Sequence, residues 1–133
     1  MAAIEWNRSV EIVPGVRVCL LNVGHILGAA MASVDIQGKR ILFTGDIGRP
    51  HDAIMQAPAM VKYADFLICE STYGDRRHDT ADPGRKLADV VNLTIARGGS
   101  VIVPSFAVGR AQALMHLVER LKADGAIPPT LPV

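Results

Sequence analysis

The stretch GHILGAAMASVDIQGKRILFTGDIG, residues 24–48, alternates short apolar runs with turns that contain glycine. Its runs at residues 31–37 and 40–44 have the length and the β-branched content of strands. Gly38 and Lys39 separate them closely enough for a hairpin. The stretch therefore predicts two neighbouring antiparallel strands.

Further apolar runs lie on both sides of this stretch. Residues 10–13, 16–22 and 65–70 also have the length and composition of strands, and a Pro-Gly pair places a turn between the first two. Residues 50–64 mix prolines with scattered apolar side chains, which predicts a loop or a short irregular helix. The first half of the chain is therefore predicted to be mainly β-structure.

The second half changes to helical spacing. Apolar residues recur on one helix face between Asp82 and Arg97, and again from about residue 109 to residue 122. A buried strand is predicted between them, at residues 100–104. Helices and strands packed as layers predict a fold of mixed α and β structure (α/β in the broad sense), specifically of the α+β class. The predicted inner helix positions are Leu87, Val90, Val91 and Ile95, followed by Ala111, Leu114, Leu117, Val118 and Leu121.

Composition narrows the class of protein. The chain has 133 residues, half of them apolar, and a net charge of +1. It shows no basic stripe for nucleic acid, although a metal centre can supply positive charge itself. Cys19 and Cys69 lie in apolar runs and are expected to be buried thiols in a reducing compartment. No apolar run approaches the roughly 20 residues of a membrane helix, and no secretion signal is evident. A cytoplasmic protein without membrane contact is expected.

Polar side chains follow three of the predicted strands. His25 and Asp46 each come after an apolar run and beside glycines, and Glu70 ends the run DFLICE. Imidazole and carboxylate groups are zinc ligands, and a carboxylate can bridge two metals. His25 and Asp46 can equally be a strand-end cap and a turn residue. Glu70 can equally form a local salt bridge to Arg76 or Arg77.

A second candidate site lies in VPSFAVGRAQ, residues 103–112. Ser105 ends the predicted strand, and Arg110 falls in the first turn of the second predicted helix. A hydroxyl, a guanidinium and the free N–H groups of a helix N-terminus are suited to an anion such as phosphate. The alternative is that both residues only cap and cover the helix.

Four motifs, taken in order, resemble one known family. GHILGAA, FTGDIGR, ESTYGDRRH and GGSVIVPSFAVGRAQALMHLVERL together are similar to motifs of the metallo-β-lactamase-fold nucleases of the β-CASP group. The resemblance runs from about residue 16 to the end of the chain. It implies part of an αββα lactamase sandwich in residues 1–75 and the start of a β-CASP insertion in residues 76–133.

The resemblance also implies roles for individual residues. It implies two zinc ions, with His25 as a ligand and Asp46 as the carboxylate that bridges them. Glu70 would be the catalytic residue that orients a proton-donating histidine. Ser105, Arg110 and His78 are predicted to contact the substrate, which is RNA or another single-stranded nucleic acid.

The same resemblance leads us to expect a fragment. The family's His-x-His-x-Asp-His motif is expected upstream of His25, and residues 1–24 contain no histidine. The predicted function is metal-dependent hydrolysis of phosphodiester bonds in RNA by the full-length protein. The alternatives are a DNA exonuclease of the same family and a non-catalytic, truncated binding or scaffold module. Unpaired strand edges are expected to promote association, so a homodimer is possible.

Overall fold

A computed structural model describes residues 3–77 and 81–133 of the protein. Within them the chain forms two compact units that divide between residues 75 and 76. The strands lie in the first unit and the helices in the second. The predicted α+β class is therefore confirmed. The assignment of the two units to a lactamase-like domain and a β-CASP domain stays a prediction.

The first unit contains a five-stranded sheet in the order β1-β2-β3-β4-β5. Each successive pair of strands from β1 to β4 is antiparallel, and β5 runs parallel to β4. The sheet therefore has β1 and β5 at its edges. The strands are β1 (Ser9–Val13), β2 (Val16–Asn22), β3 (Ala30–Ile36), β4 (Lys39–Phe43) and β5 (Phe66–Ile68).

The hairpin predicted within the quoted stretch is confirmed, with its turn one residue earlier than the predicted pair of Gly38 and Lys39. Two residues, Gln37 and Gly38, connect β3 to β4, and their φ angles are 51° and 71°. A two-residue turn with positive φ at both positions matches the right-handed twist of its strands. Glycine adopts such an angle without strain, which explains its place in this turn.

A small apolar cluster lies beside this sheet. Val23, Met31 and Leu42 are buried, with exposed fractions of 6% or less. They come from β3, β4 and the residue after β2, so the cluster joins the central strands. Partly buried side chains from the strands and from the loop before β5 pack against it, namely Leu21, Ala29, Ala59, Val61 and Ala64.

Asp65 fixes the start of β5 against the start of β4. Its backbone N–H donates to the Arg40 carbonyl at 2.8 Å, and its carboxylate accepts from the Arg40 N–H at 2.8 Å and from Lys39 Nζ at 3.0 Å. The Arg40 N–H, followed by Lys39 and Tyr63, lowers the pKa of Asp65 to about 2. These contacts precede the first ladder pair, Ile41 with Phe66.

The second unit is a pair of helices, α1 (Pro83–Ala96) and α2 (Arg110–Ala123). Asp82 caps α1 by accepting from the Gly84 N–H at 2.9 Å, and Pro83 starts the helix where no N–H is needed. The predicted helix bounds thus agree closely with the structure. The helices meet in a core of Ala88, Val91, Leu121 and Ile127, against which Leu87, Ile95, Leu117, Val118 and Leu131 pack.

Two predictions for this half of the chain are wrong. Residues 100–104 form no strand, and Ile102 is 89% exposed. A strand needs a neighbour for its N–H and C=O groups, and the structure brings no other strand to this segment among the residues it describes. Val90, predicted on the inner face of α1, is 52% exposed because the α1 residues in the core are Ala88 and Val91.

Neither α1 nor α2 could span a lipid bilayer, and the described part of the chain offers no other helix for that role.

We predict that Asp65→Asn destabilises the first unit at neutral pH and flattens its response to acid. A carboxylate whose pKa is lower in the folded state stabilises the fold above its unfolded pKa, which is about 3.9. That stabilisation is lost as the pH falls from about 4 toward the folded value of about 2.

Thermal unfolding at several pH values measures this difference. Glu5→Gln is the matched control, because the Glu5 ion pair with Arg8 is exposed and such pairs contribute little. Equal pH dependence of wild type and Asp65→Asn between pH 4 and pH 2 would contradict the prediction.

Candidate metal centre at the ends of β2, β4 and β5

Three strands of the sheet have their C-terminal ends on the same side of the sheet. β2 and β4 are both antiparallel to β3, and β5 is parallel to β4, so β2, β4 and β5 run in the same direction. His25 follows the end of β2, Asp46 follows β4, and Glu70 follows β5. The topology therefore gathers the three polar residues that the sequence singles out.

The loops that carry His25 and Asp46 touch through their backbones. The Gly48 N–H donates to the Val23 carbonyl at 2.9 Å. A Cβ atom on Gly48 would lie 1.9 Å from the Gly24 oxygen and 2.7 Å from the His25 nitrogen. Real Cβ atoms do not come that close, so only glycine at position 48 permits this contact.

His25 and Asp46 face each other across these loops. His25 Nε2 lies 3.8 Å from Asp46 Oδ2, and the side chains are 45% and 73% exposed. Two ligands of one tetrahedral zinc ion lie about 3.4 Å apart, because each is about 2.0–2.1 Å from the metal. The pair therefore fits two positions of a metal's coordination sphere after a small side-chain rotation.

A complete metal site requires more than this pair. Within residues 3–77 and 81–133, no three His, Cys, Asp or Glu side chains are grouped so that they could hold an ion. Structural and catalytic zinc sites use three or four protein ligands. The two-zinc site with His25 and Asp46 as ligands therefore stays a prediction.

Glu70 contacts the loop that carries Asp46. Its carboxylate accepts a hydrogen bond from the backbone N–H of Ile47, the residue after Asp46. This bond, followed by a hydrogen bond from the Thr72 side chain, lowers the pKa of Glu70 below its usual value. Glu70 is therefore a carboxylate at neutral pH, and its role in orienting a histidine stays a prediction.

Thr44 belongs to the candidate site, and the sequence reasoning missed it. Its side chain is buried, with 4% of the residue exposed, at the point where β4 ends. The hydroxyl accepts from the Glu70 N–H at 3.3 Å and donates to the Gly45 carbonyl at 2.8 Å. The available signal is a hydroxyl at the end of the apolar run ILFT, directly before a glycine.

Asn22 is a second missed residue, and it anchors the loop before β5. Its side-chain Nδ2 donates to the Ala57 carbonyl at 2.9 Å, and its Oδ1 accepts from the Gly24 N–H at 3.1 Å. Its backbone carbonyl accepts from the Ala59 N–H at 2.9 Å. Asn22 therefore holds the His25 loop and the 50–64 loop together.

The predicted substrate-binding residues lie elsewhere in the chain. Arg110 begins α2 in the second unit, and its Cζ lies 5.9 Å from the centre of the Phe106 ring. Ser105 is exposed in the segment before α2, and the N-cap Gly109 makes no side-chain cap hydrogen bond. His78 lies outside the described residues. The structure thus brings His25, Asp46 and Glu70 to one edge, while Ser105 and Arg110 belong to the other unit.

Comparison with known proteins identifies relatives along most of the chain. It is 39% identical over 123 residues to cleavage and polyadenylation specificity factor subunit 3-I of Arabidopsis thaliana, which covers 91% of the chain and 18% of that relative. It is 40% identical over 119 residues to endoribonuclease YSH1 of Mycosarcoma maydis, covering 88% and 14%. For endoribonuclease YSH1 of Saccharomyces cerevisiae the identity is 36% over 118 residues, covering 87% and 15%.

These relatives are much longer than the chain. It spans between 14% and 18% of the three described above. No family model matches it.

The relatives correct one prediction. A cytoplasmic location is wrong, because the Arabidopsis relative is a cleavage and polyadenylation factor and that processing takes place in the nucleus. The cytoplasmic prediction rests on the lack of an export signal and on two cysteines expected to be buried, but Cys69 is exposed and Cys19 is only partly buried.

We predict that Gly48→Ala separates the His25 and Asp46 loops. The added Cβ overlaps the backbone of Gly24 and His25, and overpacking of this kind costs about 1–3 kcal/mol. Amide hydrogen exchange should show faster exchange in residues 23–25 and 45–48.

The control for this variant is Gly38→Ala. Its Cβ meets nothing within 4 Å, so its cost is backbone strain at positive φ, about 1–2 kcal/mol. Gly38→Ala should leave exchange in the two loops unchanged. Unchanged exchange in Gly48→Ala would show that the loops do not depend on their backbone contact.

Proposed function

Since the chain belongs to the β-CASP group of metallo-β-lactamase-fold nucleases, we propose that it forms part of an enzyme that hydrolyses phosphodiester bonds in RNA. One observation carries the proposal. His25 and Asp46, which two family motifs single out, lie 3.8 Å apart at one edge of the sheet. The names of the relatives, which are endoribonucleases, support RNA as the substrate.

The residues at this edge have separate roles in the proposal. His25 and Asp46 would hold the metal, His25 through an imidazole nitrogen and Asp46 through its carboxylate oxygens. Zinc is the proposed metal, with two ions in the complete site. When bound, such ions stabilise the negative charge that develops on a phosphodiester during hydrolysis. Glu70 is a carboxylate at neutral pH, so it can accept a hydrogen bond from the N–H group of an imidazole.

Residues of the second unit would bind the RNA backbone. Arg110 carries a guanidinium and stands at the N-terminal end of α2, where the positive end of the helix dipole also favours an anion. Ser105 and His78 would add a hydroxyl and an imidazole for phosphate oxygens. Residues 1–75 would belong to the lactamase-like domain and residues 76–133 to the β-CASP insertion.

We also propose a nuclear role in processing transcripts, which follows from the named activity of the Arabidopsis relative. A non-catalytic module remains the second candidate. The observation in its favour is that only two members of a ligand set come together in the described residues. No feature of the site favours a DNA exonuclease, whereas the relatives' names favour RNA.

A homodimer is part of the proposal, supported by the exposed edge of the sheet. Among the residues that the structure describes, β4 is the only strand that pairs with β5, and Phe66, Leu67 and Ile68 are each more than half exposed. An apolar edge strand with free N–H and C=O groups can pair with another chain.

We predict that Asp46→Asn abolishes RNA hydrolysis by the complete protein and removes bound zinc. The amide is neutral and cannot bridge two ions as a carboxylate does. Metal analysis and RNA cleavage assays measure both effects. Asp89→Asn, at an exposed position of α1, is the control and should retain metal and activity. Unchanged zinc content and cleavage in Asp46→Asn would overturn the proposed function.

We predict that Arg110→Ala weakens RNA binding by about tenfold, because one charge-assisted phosphate contact is lost. Zinc content should not change. The slope of log affinity against log salt should fall by about one, as expected for one phosphate contact. Arg120→Ala, near the other end of α2, is the control and should bind RNA as wild type does. Equal affinity and salt dependence in Arg110→Ala would exclude Arg110 from the RNA site.

A further inference from the structure

We propose that Thr44 and Glu70 are positioning residues that hold the Asp46 loop in place for metal binding. We call the hydrogen bonds between residues 44–47 and Glu70 the Thr44–Glu70 clasp. The inference rests on the proposed function, because it assumes that Asp46 binds metal. It assigns Thr44 a role and gives Glu70 one besides orienting a histidine.

The clasp has two parts that run in opposite directions. The Glu70 N–H donates to the Thr44 hydroxyl at 3.3 Å, and the Glu70 carboxylate accepts from the Ile47 N–H. The Thr44 N–H also donates to the Ile68 carbonyl at 3.0 Å. The end of β5 is therefore joined to the chain on both sides of Asp46.

The Asp46 side chain depends on its backbone for its position. It is 73% exposed, so packing does little to fix it. The loop of residues 45–48 is instead held on two sides. Gly48 bonds to Val23 on the β2 side, and Ile47 bonds to Glu70 on the β5 side. Loss of the β5 contact would leave Asp46 free to move away from His25.

The burial of Thr44 indicates that its hydroxyl is specifically used. A buried hydroxyl without partners is costly, and this one both accepts from Glu70 and donates to Gly45. Residues that orient metal ligands in this way typically change metal affinity by about 10–100-fold when they are replaced.

The two roles of Glu70 can be separated by substitution. A glutamine at this position keeps a carbonyl oxygen that can accept from the Ile47 N–H, but it loses the negative charge. A leucine of similar size loses both. At position 44, serine keeps the hydroxyl and valine keeps the shape without it.

The experiment measures zinc affinity of the complete protein by competition with a chromophoric chelator. Thr44→Val and Glu70→Leu should bind zinc about 10–100-fold more weakly than wild type. Thr44→Ser and Glu70→Gln should remain close to wild type. Cleavage by Glu70→Gln should still fall, because the charge that orients a histidine is gone.

Thr94→Val is the matched control. Thr94 lies in α1 and is as buried as Thr44, each with 4% of the residue exposed. Thr94→Val should retain zinc affinity even if it lowers thermal stability. If Thr44→Val does not fold, the comparison of Glu70→Leu with Glu70→Gln still tests the clasp.

The outcomes distinguish the clasp from the proposed function. If Asp46→Asn loses zinc while Glu70→Leu and a folded Thr44→Val keep it, the clasp is wrong and the metal site stands. The clasp is also wrong if Glu70→Gln loses as much affinity as Glu70→Leu. If Asp46→Asn keeps its zinc, the proposed function is wrong, and the clasp is wrong with it because it assumes that Asp46 binds metal.

Discussion

The candidate site depends on one backbone contact, that of Gly48 with Gly24 and His25. No side chain fits between the two loops, since a Cβ on Gly48 would lie 1.9 Å from the Gly24 oxygen. The loops after β2 and β4 can therefore approach closely enough for the His25 imidazole and the Asp46 carboxylate to share an ion. Gly48, which reads in the sequence as an ordinary turn residue, thus determines how closely the two loops approach each other.

The directions of the strands in the sheet make this contact possible. Because β2, β4 and β5 run the same way, their following loops lie at one edge. Asp65 sets where β5 begins beside β4, and two residues after β5 the chain reaches Glu70. Asp65, which forms a salt bridge before β5 begins, therefore contributes to the position of the Glu70 carboxylate after β5 ends.

The candidate site has several hydrogen bonds that hold its loops but few side chains that could bind a metal. Thr44, Asn22 and Gly48 make specific hydrogen bonds that hold the loops, while only His25 and Asp46 offer donor atoms to one ion among the described residues. Affinity for zinc requires three or four ligands, whereas ligand orientation comes from the surrounding hydrogen bonds. In the proposed metal site, this part of the chain would thus provide the orientation and a share of the donor atoms.

The sequence by itself determined the elements that depend on local spacing. The β3–β4 hairpin and the helices α1 and α2 follow from turn chemistry and apolar periodicity, and the family motifs single out His25 and Asp46. Only the tertiary structure decided which backbones touch, and so the roles of Thr44 and Gly48. It also decided that residues 100–104 form no strand, although their composition is typical of one. The physical reason is that a strand and a ligand pair both need partners distant in sequence, and local composition carries no information about which partners arrive.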